Sequence, residues 1–390
     1  MNRTVLTVLI AVAAVIVSGC AGQLKSPTPE YNVDDIVDTK TGRVVAFDDL
    51  LAALTEVQVA FIGETHDQVS HHEIQLKIIR ALLEVQADVV LGMEMFTYEV
   101  QPVLDAWTLG ELDEETFLRE VDWDAIWGYP YILYRDILDE ARIWSLKVLG
   151  LNAPHDVIQR IARGGLKGLS PEDRSKVAED IVLDLPDYRK YIRKQYTEHD
   201  QKDLENFEFF FQAQRAWDET MADTLAKHLL EIERTAKILV FAGAGHIYKG
   251  YGIPDSFKRR TGLPYVTIIP VEPGYAGEAV RDRIADYIWV ARPSKLDHPR
   301  LGVRLDEAAL AQGRLKVVEV MENSKAREIG IEVGDILESL NGVKLRTAGD
   351  VARAILDAGF GEAHHLRIDR QGLHLELVFT MDADRGNEGD

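Results

Sequence analysis

Two short runs, Gly63-Glu64-Thr65-His66 and Gly243-Ala244-Gly245-His246, share the pattern Gly-x-x-His. Each follows an apolar run of strand type, Val57–Ile62 and Ile238–Ala242. In an open parallel sheet, ligands bind beyond the carboxyl ends of the strands. Two histidines about 180 residues apart in sequence are therefore expected at one rim. A glycine after the strand lets the chain turn sharply and approach a ligand closely. The histidine then offers a neutral nitrogen to a metal, or a proton donor near neutral pH. A lone Gly-x-x-His is more often structural or solvent-facing; its repetition in one context singles out this pair.

Other strand ends carry similar groups. Val89–Met93 reads as a second buried strand and leads to Glu94, which is flanked by Met93, Met95 and Phe96. A carboxylate in that setting needs a partner, a cation or a raised pKa. The plain alternative is a salt bridge to an arginine inside the fold. Val148–Leu151 is a third strand, followed by Asn152-Ala153-Pro154-His155. Pro154 reads as the first helical residue, with Asn152 or Ala153 as cap and His155 in the first turn. Ile238–Ala242 is the fourth strand and Val266–Ile269 a fifth. Helical patterns fill the gaps, at Val69–Val85 and Leu204–Glu233, and Ser170-Pro171-Glu172-Asp173 reads as a helix start. His71 and His72 fall on the first of these helices, where only one of two neighbours can face the site and solvent is the expectation. Strands alternating with helices imply an α/β domain, a mainly parallel sheet with helices on both faces. Glu64, His66, Glu94 and His246 then form a central site. They could hold zinc or another divalent metal ion with a position left for water, or do acid–base work without metal.

Aromatic residues crowd two tracts. Trp123, Trp127, Tyr129, Tyr131 and Tyr134 form one, and Tyr188, Tyr191 and Tyr196, close to His199, form the other. Such clusters are usually core or interface. They could also line a flat apolar ligand, with a tyrosinate or histidine as axial iron ligand.

The first residues read as a targeting segment. Met1-Asn2-Arg3 is a short positive start, and Val5–Val17 is almost wholly apolar but shorter than a membrane span needs. Val17-Ser18-Gly19-Cys20 resembles a bacterial lipobox, which implies a signal peptide 1–19, lipidation of Cys20 and a tether 20–44. Ala21, by resemblance to lipoprotein sorting rules, favours the outer membrane, on its periplasmic or cell-surface side. Cys20 is the only cysteine. Once lipidated it leaves no thiol, which excludes disulfides, Cys-ligated zinc, iron–sulfur clusters and covalent c-type haem. A formal net charge of -21 argues against nucleic-acid binding. Hydrophobic content of 46% is ample for a packed core, and the length suggests two or three domains.

The runs Phe61–Asp67, Gly92–Phe96, Leu151–Pro154, Gln214–Ala222 and Gly243–His246, with Trp127-Gly128-Tyr129-Pro130-Tyr131, resemble in this order the ChaN-like haem-binding uptake family of the Tiki superfamily. The resemblance covers about Phe47 to Val290. It implies a bacterial lipoprotein of haem and iron acquisition, with haem as cofactor and a homodimer surface. Tyr129, Tyr131, Tyr188, Tyr191 and His199 are the haem-ligand candidates. The wider superfamily includes metal-dependent proteases and erythromycin esterase-like hydrolases, and places Glu64, His66, Glu94 and His246 at the centre. His155 stands where that family is expected to carry arginine after Asn-Ala-Pro, which removes a propionate partner and adds a candidate ligand.

Leu301 to Met381 resembles a bacterial-type PDZ domain, a small mixed β/α fold. Leu301-Gly302-Val303 looks like its carboxylate-binding loop and strand, and Ala326–Ile331, Val333–Leu337 and Leu340-Asn341-Gly342 match its most recognisable stretch. Asn341-Gly342 is also a strong turn signal in its own right. Val351–Leu356 would border the groove. The resemblance implies capture of a protein C-terminus or extended peptide as an added strand. The expected organisation is an α/β domain 45–292, a linker 293–299, a PDZ domain 300–382 and an acidic tail 383–390. Haem binding with a PDZ module recruiting a partner is the favoured function. A metal-dependent hydrolase acting on a peptide amide or ester, and an inert scaffold, are the alternatives.

Overall fold

Strands apolar on both faces need cover on both faces. In the computed structural model, which describes residues 30–85, 87–198, 206–232, 234–296, 300–310 and 312–381, this is how the first domain is built. Its eight strands are β1 (Ile36–Asp38), β2 (Arg43–Val45), β3 (Val59–Glu64), β4 (Val89–Thr97), β5 (Lys147–Asn152), β6 (Lys237–Gly243), β7 (Tyr265–Val271) and β8 (Tyr287–Val290). They lie in the order β2-β1-β8-β7-β3-β6-β4-β5. The six from β8 to β5 run parallel. β1 and β2 add antiparallel at one edge. The expected mainly parallel sheet is what the chain forms. β1, β2 and β8 add to the five strands read from the sequence.

Side-chain alternation along β3 shows the layering. Ala60 and Ile62 enter a core with Ile78 and Leu82 of the helix Val69–Glu84 and Leu138 of the helix Ile132–Ile143. Val59 and Phe61 enter the opposite core, with Met221 and Leu225 of the helix Phe207–Lys227. β5 is an edge strand, a row of backbone groups that invites pairing with another chain. Here the Gln101 side chain answers it, donating to the Val148 carbonyl at 2.7 Å and accepting from the Gly150 amide at 3.1 Å.

Several expected boundaries shift. The helix expected over Val69–Val85 ends at Glu84, with Val85 as its C-cap. The long helical stretch is the α-helix Phe207–Lys227 followed by a π-turn, His228–Ile232; Leu204 and Glu233 lie outside the described residues. Ser170 caps its helix as expected, accepting from the Asp173 amide. Asn152 does not cap the next helix. Pro154 holds the N-cap position, and the Asn152 amide instead donates to the Glu94 carbonyl at 3.0 Å.

The chain then passes along the start of the helix Val69–Glu84. The Ser294 carbonyl and hydroxyl accept from the Val69 and Ser70 amides, and Lys295 pairs with Asp67. Residues 297–299 of the expected linker, Cys20, the N-terminal apolar run, His199 and the tail 383–390 lie outside the described residues.

The second domain is an antiparallel sheet of β9 (Val303–Leu305), β10 (Leu315–Val320), β11 (Ile336–Leu340), β12 (Val343–Lys344), β13 (Ala363–Arg370) and β14 (Leu373–Thr380). It has its own core, including Leu315, Leu337, Ile355 and Ile368. Asn341 and Gly342 both have positive φ, 52° and 83°, as a tight hairpin turn requires. The helix expected around Val351–Leu356 spans Ala348–Ala358 and starts with a Thr347–Asp350 capping box. Gly302, at φ 80°, turns the chain into β9, while Leu301 is buried. Among the described residues, no helix is long and apolar enough to cross a membrane.

Candidate functional site

β3 and β6 are neighbours, and their register sets Gly63 opposite Ala242 and Glu64 opposite Gly243. The two Gly-x-x-His runs therefore lie side by side. The glycines serve a different purpose from the expected one. Gly63 lies inside β3, and Gly243 ends β6 as the N-cap of the helix Ala244–Ile247; neither has a left-handed φ. Instead each clears space for the other motif. A Cβ on Gly63 would stand 3.2 Å from the Ala244 Cα, and one on Gly243 would stand 3.0 Å from Cε1 and Nε2 of His66.

Glu64 closes β3 with its carboxylate sealed from water. Its Oε1 accepts from the Tyr134 hydroxyl at 2.6 Å and meets Nδ1 of His66 at 2.9 Å. Its Oε2 accepts from the Gln75 amide at 2.7 Å. His66 sits just beyond the strand with 23% of its side chain exposed. Trp127 and Tyr129 pack on its ring, with centroids at 4.8 and 4.9 Å.

Glu94, inside β4, is the counterpart from the other side of β6. Its partner is not an arginine. Oε2 accepts from the Gly243 amide at 2.7 Å, and Oε1 meets Nε2 of His246 at 3.2 Å. Nδ1 of His246 meets Oδ1 of Asp218 at 2.6 Å, with the Gln214 amide 3.1 Å away. Asp218 also accepts from the Tyr188 hydroxyl at 2.8 Å and from Arg215 at 3.2 Å. Arg215 is itself wholly buried, and reaches Glu219, Ser256 and the Val182 carbonyl.

These pairings set the charges. Burial resists the charge on Glu64, but His72, His66 and Tyr134 outweigh it and hold its pKa at about 2. Burial likewise resists the charge on Glu94, yet His246, His66 and the Gly243 amide bring its pKa below the ordinary value. The same desolvation opposes protonation of His246, where Glu94 and Asp218 overcome it and push the pKa up to about 10. His66 is raised as well, by Glu64 and Glu94 against its own burial. Each histidine is therefore held as a proton-bearing partner of a carboxylate.

That arrangement does not fit a metal held by Glu64, His66, Glu94 and His246. A ligating imidazole must offer a neutral nitrogen, and both nitrogens of His246 are occupied by carboxylates. Among the described residues, no three His, Cys, Asp or Glu side chains are grouped to hold a metal ion.

The family model for haem-binding uptake proteins of the Tiki superfamily, ChaN, matches residues 50–257, and a PDZ model matches residues 316–370. The chain belongs to the ChaN haem-binding uptake family. ChaN of Campylobacter jejuni, solved with cofacial heme binding, is 22% identical. It covers 68% of this chain over its own full length, with a TM-score of 0.52, and so shares the fold. Among curated proteins, Protein RETICULATA-RELATED 5, chloroplastic, of Arabidopsis thaliana is 19% identical over 73% of this chain. The chain spans only 41% of that relative's length.

Within this ChaN-like domain the haem-ligand candidates separate by burial. Tyr188 is 1% exposed and its hydroxyl is bound to Asp218, and Tyr131 is 4% exposed in the core, so burial takes both out of reach of a ligand. Tyr191 is half-buried and stacks on Tyr248 at 4.1 Å. His155 opens the helix His155–Gly164 and lines a crevice with Phe96, Thr97 and Asp122. Tyr129 alone of the phenols in its tract is open to solvent, at 37%, and it stands against His66. Tyr129 thus presents an exposed phenol beside a half-buried indole and imidazole.

Other residues of the site were given no role there by the sequence, although Tyr134 and the run Gln214–Ala222 stand out in it. Asp218, Tyr134, Gln75, Gln214 and Arg215 carry its second layer of hydrogen bonds. Gln214 and Asp218 are four apart on one helix, so they share a face; that spacing was the available signal. His71 and His72, expected to meet solvent, are both 4% exposed. The Ser294 segment covers the start of their helix. His71 Nδ1 accepts from the Thr65 amide at 2.9 Å, and His72 Nε2 lies 3.1 Å from the His66 carbonyl.

Proposed function

We propose that this protein is an outer-membrane lipoprotein, anchored through Cys20, that binds haem at the Tyr129–His66 face of its ChaN-like domain and recruits a protein partner through its PDZ domain. The observation that carries the haem reading is the solvent-open phenol of Tyr129 packed on a carboxylate-held His66 at the sheet's carboxyl end. Bound there, haem would supply an iron centre. The chain's residues would supply a phenol for ligation, an imidazole that can donate a proton to it, and the Trp127 ring as apolar wall. Support for the anchor is the lipobox-like Val17–Cys20 run. Support for the partner is the match to the PDZ model, a domain type that adds a peptide as an extra strand. Titration of haemin, followed at the Soret band, tests the first part. A saturable one-to-one shift that falls by about tenfold or more in affinity in Tyr129→Phe is expected, the order of one lost ligand interaction. An unchanged spectrum in that variant overturns the assignment. Cys20→Ala should move the protein from the membrane to the soluble fraction.

A second reading rests on the Glu64–His66 pair. A histidine whose Nδ1 is fixed by a buried carboxylate and whose ring reaches solvent is a general acid–base arrangement. It would serve hydrolysis of a peptide amide or ester. Turnover of such substrates that is lost in His66→Ala and indifferent to chelators would favour this reading over haem binding.

A further inference from the structure

The aromatic wall beside His66 is also the seat of the PDZ domain. Asp124 lies in the short helix Trp123–Ile126, three residues before Trp127. Its carboxylate accepts from the Thr347 hydroxyl at 2.8 Å and from Arg353 at 3.3 Å. Thr347 is the N-cap of the helix Ala348–Ala358, which borders the expected peptide groove. The approach is close enough that a Cβ on Gly349 would fall 2.2 Å from the Asp124 carboxyl carbon. An anion there also meets the positive end of that helix. Two further ion pairs, Arg346–Glu115 and Arg135–Asp357, each at 2.8 Å, flank the contact. A crevice of about 230 Å³ between the domains is lined by Gly128, Tyr129 and Pro130 on one side and Ala352 and Leu356 on the other.

We propose that the PDZ domain is a latch on the site: the docked helix Ala348–Ala358 holds the turn Trp123–Tyr131 in place, with Trp127 and Tyr129 against His66, so that whatever moves this helix alters ligand binding at His66. The turn meets His66 on one side and the PDZ helix on the other. Coupling between two sites through a shared element is reciprocal, so a peptide captured beside the helix and a ligand at Tyr129 influence each other's affinity. The latch itself stands on the contacts named; only the haemin measurement below rests on the haem reading.

The test compares the full chain with Gly349→Ala and Asp124→Ala by hydrogen exchange and mass spectrometry. Alanine favours a helix more than glycine does, so Gly349→Ala leaves the PDZ fold intact while forcing Asp124 away. In both variants amide exchange across 123–131 should rise by about tenfold or more, with the strands of the parallel sheet unchanged, and haemin affinity should fall by about fivefold or more. Unchanged exchange across 123–131 in Gly349→Ala overturns the latch. Faster exchange with unchanged haemin affinity overturns the coupling. If the wild-type protein binds no haemin, the haem reading fails alone and the exchange measurement still decides the latch. If Asp124→Ala loses protection throughout, Gly349→Ala decides it.

Discussion

Asp218→Asn is the sharpest perturbation of the site, because it removes one charge and almost no volume. The native carboxylate is fully buried and accepts from His246, Tyr188 and Arg215. An asparagine keeps one acceptor oxygen but turns an amide toward a donor. Breaking a buried ion pair costs about 3–5 kcal/mol. Arg215 retains Glu219, Ser256 and the Val182 carbonyl, so the lower end, about 3 kcal/mol, is expected. The effect on His246 is separate and more diagnostic. Its pKa of about 10 reflects Glu94 and Asp218 together overcoming burial. With Glu94 alone left, it should drop by about 1–3 pH units, each unit worth about 1.4 kcal/mol. Imidazole titration by NMR between about pH 5 and 10 reads the second effect, and urea unfolding reads the first. A variant that loses stability while His246 titrates as in the wild type would refute the assignment. Asp218 would then serve packing, and the charge on His246 would have another origin.

Three further outcomes follow from the same geometry. Gly243→Ala should keep the sheet but cost about 1–3 kcal/mol of overpacking, and His66 should titrate closer to its ordinary value as the new methyl drives its ring from Glu64; urea unfolding and NMR read both. The stability that this cluster contributes should depend on pH in a stated window. The depressed carboxyl of Glu64 contributes above its ordinary 4.5 and loses that as pH falls toward about 2, whereas the raised His246 contributes fully below 6.5 and loses it as pH rises through about 10. Urea midpoints measured across pH 3 to 10, roughly the span of these groups, should decline at both ends, and the acid limb should flatten in Glu64→Gln. In the PDZ domain, Arg370 holds the buried Asp335 and reaches Glu332 and the Gly330 carbonyl. Arg370→Ala should cost about 1–3 kcal/mol, seen as faster hydrogen exchange in β11 and β13 with the first domain unaffected.

The parallel core was legible because its strands are continuous apolar runs. Phe61 and Ile62 face opposite cores, so no polar residue interrupts the pattern, and the strand declares itself. β1 and β8 were not legible, because a three- or four-residue segment is fixed by its neighbour; Ile36 becomes a strand residue by standing opposite Trp289. The four central residues were legible from strand ends and spacing. Their pairings were not, since Tyr134 lies 70 residues from Glu64 and Asp218 lies 28 from His246; the shared helix face of Gln214 and Asp218 groups those two but does not say which residue they meet. His71 and His72 were misjudged for a tertiary reason. Helical spacing alone puts one of two adjacent residues outside, but the rim segment Thr65–His66 meets both, the Thr65 amide at His71 and the His66 carbonyl at His72, and the Tyr134 ring packs on His72.

The two Gly-x-x-His runs, alike in sequence, produce histidines with opposite prospects. His246 has a carboxylate on each ring nitrogen and 9% of its side chain exposed. A group with a pKa near 10 keeps its proton across the neutral range; it acts there as a fixed positive charge that holds Glu94 ionised. His66 has one carboxylate on Nδ1, a ring edge facing Gly243, and 23% exposure. It is the histidine that an incoming ligand can meet, with Tyr129 beside it. The division follows from where each chain segment goes next. Beyond His66 the chain continues along the rim to the helix Val69–Glu84, whereas beyond His246 it folds down against the helix Phe207–Lys227, which delivers Asp218. The asymmetry therefore separates the working group from the one that sets its field. It predicts that His246→Gln costs more stability than His66→Ala, whose Glu64 keeps Tyr134 and Gln75, while His66→Ala costs more haemin binding; parallel urea unfolding and haemin titration of the two variants would show the reverse order if the roles were exchanged.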